Sequence, residues 1–193
     1  MVAPLCNAAS MSNLPRIGFD DLTDGLKREL DARVRRLGYL GEFFQVAAHQ
    51  PEPLGHFIRF TESLKEALPI DLVELLALTI STFSGNAYER VQHERLALKS
   101  GLTEAWVVAV ERLAPDGAEE LTQVQRAAQK LGLAMAAKQG KGAKAEADAL
   151  LALTDAPTLM GVMLTVGRYL AHAAICNTLE IAAPVASPIG ARP

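Results

Sequence analysis

Apolar residues recur along most of this chain at intervals of three and four positions, which is the spacing of one face of an α-helix. Leu22, Leu26, Leu30 and Val34 follow it within a helix predicted over 21–37, and Gly38 is a natural end for that helix. The same reasoning predicts further helices over 42–49, 54–66, 71–83, 86–100, 104–113, 118–137, 148–153 and 155–181. No segment alternates apolar and polar residues as a half-buried strand does. The pattern therefore predicts an all-α helix bundle with no significant sheet.

Prolines and glycines divide the pattern into three predicted regions. Residues 1–15, with Pro4 and Pro15, are expected to be a mobile N-terminal leader. Residues 16–182 are expected to form a single all-α domain, in which Pro51 and Pro53 end the second helix and 139–144 form a loop. The segment 183–193 is expected to be a C-terminal tail, either frayed or acting as a strap that binds a partner.

Composition supports the helical prediction and excludes one class of function. Half of the 193 residues are hydrophobic but only 5% are aromatic, a balance that favours helices. The formal net charge is −3, so the chain lacks the basic character expected of a nucleic-acid-binding protein. Only two cysteines are present, and no signal-peptide pattern opens the chain. We therefore expect a cytoplasmic protein.

The most apolar stretch, 159–181, raises the question of a membrane span. It contains Arg168, His172, Asn177 and Glu180, which are too many polar groups to place in lipid at low cost. We interpret it as a buried core or interface helix and expect no contact with a membrane.

Polar residues at the start of the fifth predicted helix are the best candidates for chemistry. Asn86, Glu89 and His93 lie on one face of that helix, beside Tyr88. Glu89 and His93 are four residues apart, so the carboxylate can orient the imidazole and raise its pKa, as a proton relay requires. A solvated helix face would show the same spacing.

Glu74, on the preceding predicted helix, is a further candidate for this cluster. It lies within the apolar run 72–80, where an unpaired carboxylate would be costly, and the next helix offers His93 as its partner. A structural ion pair would explain Glu74 as well as catalysis would.

These residues also carry a family resemblance. Glu74 precedes Asn86 by twelve positions, and Asn86 precedes His93 by seven. This register resembles the carboxymuconolactone decarboxylase family, which includes the alkylhydroperoxidase D-like proteins: a Glu on one helix, then Cys-x-x-Cys-x-x-x-His on the next. Asn86 and Glu89 stand where the two cysteines would be. The surrounding Tyr-Glu-x-x-x-His and Gly-Leu-Thr-Glu resemble a cysteine-free branch of that family.

The resemblance implies an all-α bundle that assembles into dimers, trimers or hexamers. Without the cysteine pair, dithiol peroxidase chemistry is not expected, because neither Asn86 nor Glu89 can supply a thiolate. The resemblance instead implies a lyase or proton-transfer enzyme for a small organic acid. His93, Glu89 and Glu74 would then be catalytic, Tyr88 and Asn86 would position the substrate, and Arg90 and Arg95 are candidate carboxylate clamps.

Other functions stay open at this point. The chain could be a peroxidase-related protein with another reductant, or an oligomeric binding protein that has lost catalysis. Glu74, Glu89 and His93 could together bind a metal, although the sequence fixes no geometry, and we predict neither metal nor cofactor. Cys6, in the leader, and Cys176, four residues after His172, complete the candidate groups.

Overall fold

The computed structural model describes residues 13–190, and within that range the chain is all-α, with no strand. The helices are α1 (Asp24–Leu37), α2 (Glu42–Ala47), α3 (Pro51–Ala67), α4 (Ile70–Phe83), α5 (Ala87–Lys99), α6 (Glu104–Glu111), α7 (Gln123–Lys138), α8 (Lys144–Leu151) and α9 (Ala156–Thr178). Short 3-10 turns at Phe19–Asp21 and Pro115–Gly117 complete the regular structure. The predicted fold class is therefore confirmed. Residues 1–12, which hold most of the predicted leader and Cys6, lie outside the described range.

Helix α4 is the centre of the bundle. It packs against α5, α6, α7 and α9, and its residues from Leu72 to Ser81 are all buried. This explains why α4 has an almost continuous apolar sequence rather than one apolar stripe. A first hydrophobic cluster surrounds α4, while a second joins α1, α2 and α3 to Tyr88 and Cys176.

Two predicted helix starts differ from the structure for reasons of capping. Helix α2 ends before Pro51, as predicted, but α3 begins at Pro51 rather than at Leu54, because proline is well tolerated in the first turn, where its missing N–H has no helical partner. Helix α7 begins at Gln123 rather than near 118, because Thr122 and Gln125 form a capping box there.

The C-terminal segment packs on the bundle as far as it is described. Ser187 donates a hydrogen bond to the fully buried carboxylate of Glu94, which also pairs with Arg90. Ile189 packs against the first hydrophobic cluster. These two contacts place Ser187 and Ile189 against the bundle, and Ser187 supplies one of the hydrogen-bond donors that a buried carboxylate needs.

Helix α9 is the one described helix whose length and hydropathy would allow a membrane span. Half of the most apolar 18-residue stretch of α9 is buried inside the bundle. Its Arg168 and His172 are buried against other side chains of the bundle. These features agree with the interpretation of this stretch as a core helix.

Candidate functional site

Glu74 and His93 form a buried pair between α4 and α5. His93 Nδ1 and Glu74 Oε2 are 2.7 Å apart, and both side chains are less than a tenth exposed. The turn Ser84–Asn86 reverses the chain so that α5 packs on α4, which brings together two residues nineteen positions apart. The predicted contact between the two side chains is therefore present.

Glu89 is the meeting point of charged groups from α5 and α9. Its Oε1 is 2.7 Å from Arg168 Nη1, 3.6 Å from His172 Nδ1 and 3.8 Å from His93 Nε2. Arg168 also donates to Thr61 of α3 over 3.1 Å. Glu89 lies in the first turn of α5, where the helix dipole favours a negative charge. The carboxylate is thus surrounded by positive or donating groups.

Tyr169 completes the inner face of the site. Its hydroxyl is 3.2 Å from His93 Nε2, and the ring lies edge-on to the imidazole. The guanidinium of Arg168 lies over the same ring, 4.3 Å from its centre. Because Glu74 holds Nδ1 of His93, the nitrogen that faces Tyr169 and Glu89 is Nε2.

The electrostatics of the site favour a protonated His93. Burial alone would lower the pKa of His93, but the carboxylates of Glu74 and Glu89 outweigh it and raise the pKa to about 9. Burial also opposes ionisation of Glu89, yet the positive charges of Arg168 and His93 hold the pKa of Glu89 well below its usual range, and the nearby His172 ring adds to this effect only when it is protonated. At neutral pH the site therefore contains an imidazolium beside a carboxylate, so His93 is suited to act as an acid.

His172 has the opposite character to His93. Burial lowers the pKa of His172 to about 4 despite the nearby Glu89, so its ring is neutral at physiological pH. The ring packs 4.1 Å from that of Phe43, measured between centres. Cys176 Sγ lies 3.5 Å from His172 Nδ1, and burial raises the pKa of this thiol to about 12. Cys176 is thus a protonated thiol at neutral pH.

A cavity of about 300 Å³ opens onto these groups. Glu89, His93, Arg168, Tyr169 and His172 form its inner wall, at the junction of the two hydrophobic clusters. The rest of the wall is notably basic: it includes Arg33, Arg36, Lys65, Arg95 and Lys99. Such a cavity has the size of a small-molecule site.

The structure distributes the predicted residues unequally around the cavity. Tyr88 lines it, and its hydroxyl approaches Gly41 so closely that any larger residue at 41 would collide with it. Asn86 does not line it: its side chain accepts the backbone N–H of Glu89 and caps α5. Arg90 is held by Glu94 on another face of α5, whereas Arg95 does line the cavity.

Sequence reasoning missed the contribution of α9 to the site. Arg168, Tyr169 and His172 all reach Glu89 or His93 from more than seventy positions away. A signal was present, because Arg168 and His172 interrupt an apolar run just as Glu74 does. The argument that a buried charge needs a partner applies equally to them.

No metal-binding group emerges in the described part of the chain. Among residues 13–190, no three His, Cys, Asp or Glu side chains are grouped so that they could hold a metal ion. Arg168 occupies the side of Glu89 that a cation would otherwise take.

No protein-family model matches the sequence, and no curated protein matches it. Solved structures do match the fold. One is the alkylhydroperoxidase AhpD core of an uncharacterized peroxidase-related protein from Ralstonia eutropha JMP134, with a TM-score of 0.77 and 17% identity over 90% of this chain and 93% of that one. Another is a cysteine-to-alanine variant of the debrominase Bmp8 in complex with 2,3,4-tribromopyrrole, with a TM-score of 0.77 and 15% identity over 95% of each chain.

A third match is a protein of unknown function from Agrobacterium tumefaciens, suggested to be an antioxidant defence protein AhpD. It gives a TM-score of 0.67 and 18% identity, covering 72% of this chain and 96% of that one. Because the sequence identities are low, these matches show a shared fold and not a shared reaction. The chain has the all-α fold of the AhpD-like proteins, as its sequence resemblance implied.

Proposed function

We propose that this protein is a thiol-independent, carboxymuconolactone decarboxylase-like enzyme that transfers a proton to a small organic acid as it loses carbon dioxide. The observation that carries the proposal is the position of His93. Its protonated ring lies in a cavity wall, with Nδ1 held by Glu74 and Nε2 directed to the inner face of the cavity. A fixed, charged imidazole is a competent general acid.

The charges next to this wall favour an anionic substrate. Three cavity-lining cations are buried or part-buried and form the inner set, Arg33, Lys65 and Arg168, and their carboxylate partners are Glu62 and Glu89. Three cations face two carboxylates, so one positive charge is left over. That charge would hold one substrate carboxylate close to His93.

The proposed reaction breaks the carbon–carbon bond between the substrate and its carboxylate. The electron pair of that bond passes into an adjacent conjugated carbonyl group, giving an enolate, and carbon dioxide leaves. The proton on His93 Nε2 then forms the new C–H bond. The neutral His93 regains its proton from water, and the pKa of about 9 makes this recovery favourable at neutral pH.

The other groups have supporting roles in this scheme. Glu74 fixes the ring of His93 and sustains its charge. Glu89, itself held by Arg168, adds to that charge and faces the reacting atoms. Tyr169 accepts a hydrogen bond from His93 Nε2. Its own hydroxyl proton is then free to stabilise the enolate oxygen. Tyr88, which also lines the cavity, would contact the substrate.

Two other functions have weaker support. A single-thiol peroxidase would need a reactive thiolate, and Cys176 is a buried thiol whose raised pKa of about 12 keeps it protonated. A non-catalytic binding protein is compatible with the Glu74–His93 pair, but the open cavity beside the pair favours a ligand-handling site.

Oligomer formation and a cytoplasmic setting are parts of the proposal. The outward face of α9 exposes Met160, Leu164 and Ile175, each by at least two fifths. Apolar side chains repeated along one exposed helix face are typical of a subunit interface. They support the expected homo-oligomer.

Replacement of His93 by Gln tests the proposal. Conjugated lactone acids and β-keto acids would be incubated with the protein in D₂O, and NMR would follow both decarboxylation and deuterium incorporation. His93→Gln should lower the rate by about 10²–10⁴-fold, the usual contribution of a general acid. His56→Gln is the matched control, because His56 is exposed on α3 and does not line the cavity. Turnover that survives unchanged in His93→Gln would refute the proposal.

A further inference from the structure

A second set of cations lies at the outer mouth of the cavity. Arg36, near the end of α1, and Arg95 and Lys99, one turn apart on α5, are exposed and line the mouth. Within residues 13–190 none of the three forms an ion pair. Three unpaired positive charges thus lie together in a chain whose net charge is −3.

This outer set differs from the inner cations in its charge balance. The inner Arg33 and Lys65 share the carboxylate of Glu62, and Arg168 is neutralised by Glu89. The outer set has three positive charges, and no carboxylate of residues 13–190 pairs with any of them. A single substrate carboxylate, held by the inner set, leaves the outer charges without a counterpart.

Tyr39 shows that the two helices bring these charges to one place. Its phenol lines the same cavity between the end of α1 and α5. Burial raises the pKa of Tyr39, while Arg95 and Arg36 are both close enough to oppose that rise. The mouth therefore combines three cations with a phenol that can donate a hydrogen bond.

We propose that the cavity mouth, formed by Arg36, Tyr39, Arg95 and Lys99, binds a phosphoryl group carried by the substrate. The inference rests on the proposed function only for the idea that a reacting acid occupies the inner wall. The substrate would then have two parts: an acid that reaches His93 and a phosphorylated part that stays at the mouth of the cavity.

A phosphoryl group fits this set better than a second carboxylate does. Carboxylate oxygens lie in one plane and suit a single guanidinium fork. Phosphoryl oxygens point in tetrahedral directions and accept hydrogen bonds from cations on several sides. Here the donors approach from two helices, and a phosphoryl group carries up to two negative charges to match them. The mouth is also open to water, so the charged group need not be fully desolvated.

Pyrophosphate is a suitable probe because it presents phosphoryl oxygens without a reacting acid. Isothermal titration calorimetry on the full chain should detect binding that weakens as salt is raised, since exposed charges are screened. The double variant Arg36→Gln/Arg95→Gln should bind at least about tenfold more weakly, a loss of about 1.4 kcal/mol. Arg28→Gln, an exposed arginine of α1 that does not line the cavity, should bind as the unchanged protein does.

Two further titrations separate this inference from its alternatives. His93→Gln should keep its pyrophosphate affinity, so a failure of the catalytic proposal would leave this result standing. Citrate, a carboxylate of similar charge, should bind at least about tenfold more weakly than pyrophosphate. Equal affinity for citrate would overturn the phosphoryl assignment. Absent pyrophosphate binding, or equal affinity in the double variant and in Arg28→Gln, would overturn the site itself.

Discussion

The charge of His93 can be tested directly by removing the carboxylate that sustains it. Glu74→Gln keeps the size of the side chain and one acceptor oxygen, so the 2.7 Å contact with His93 Nδ1 can persist. What the substitution removes is the negative charge. Because Glu74 is buried and does not line the cavity, the substrate contacts of the site are unchanged.

The expected size of the effect follows from the geometry. With charge centres about 4 Å apart and an effective dielectric constant of about 20, the lost attraction is about 4 kcal/mol, or about 3 pKa units. The pKa of His93 should therefore fall from about 9 to about 6. His93 would then be mostly neutral at pH 7, and its capacity to donate a proton would be regained only in more acidic solution.

Two-dimensional NMR of the histidine ring nitrogens measures this pKa, with the His93→Gln spectrum identifying the signal. At one unit above its pKa, about one tenth of His93 remains charged, so turnover of Glu74→Gln at pH 7 should fall about tenfold. It should recover partly at pH 5.5. Glu66→Gln, an exposed carboxylate at the end of α3, is the control and should leave the titration unchanged. A midpoint that stays near 9 in Glu74→Gln would refute this account of the charge.

Three further predictions concern stability. His93 stabilises the fold below pH 6.5 and loses this contribution as the pH rises through about 9, whereas His172 destabilises it as the pH falls from 6.5 through about 4. Urea unfolding should therefore show greatest stability near pH 6.5 and a loss of about 3 kcal/mol on either side; a flat profile would contradict this. Arg168→Met leaves Glu89 buried without its main partner and should cost about 3–5 kcal/mol by urea unfolding, against near zero for Arg28→Gln. Asn86→Ala removes the cap of α5 and should cost about 1 kcal/mol in the same assay, and no loss would argue against the capping role.

The element pattern of this fold could be predicted well from sequence because it depends on local periodicity. The predicted helices are present, and the errors fall at their ends. At Pro51 and Thr122 the choice between ending one helix and opening the next depends on which backbone N–H groups lack partners. Hydrophobic spacing contains no information about that choice.

The site was predicted in part. Glu74 and His93 could be paired from sequence, because a carboxylate in an apolar run needs a partner and the next helix offers one. The role of Asn86 as a cap was missed, although Asn is a preferred N-cap residue and the signal is local. The orientation of Arg90 away from the cavity could not be predicted. It depends on the rotation of α5 about its axis, which is set chiefly by packing against α4.

The helices, the Glu74–His93 pair and the absence of the motif cysteines from positions 86 and 89 can therefore be read from the amino-acid sequence alone. The groups that surround the pair depend on how the helices pack. Packing brings Arg168, Tyr169 and His172 to α5, where Arg168 helps to keep Glu89 ionised, while burial and the nearby carboxylates leave His93 charged and His172 neutral. The physical reason is that a pKa depends on burial and on charges within a few ångströms, and those neighbours come from distant parts of the chain.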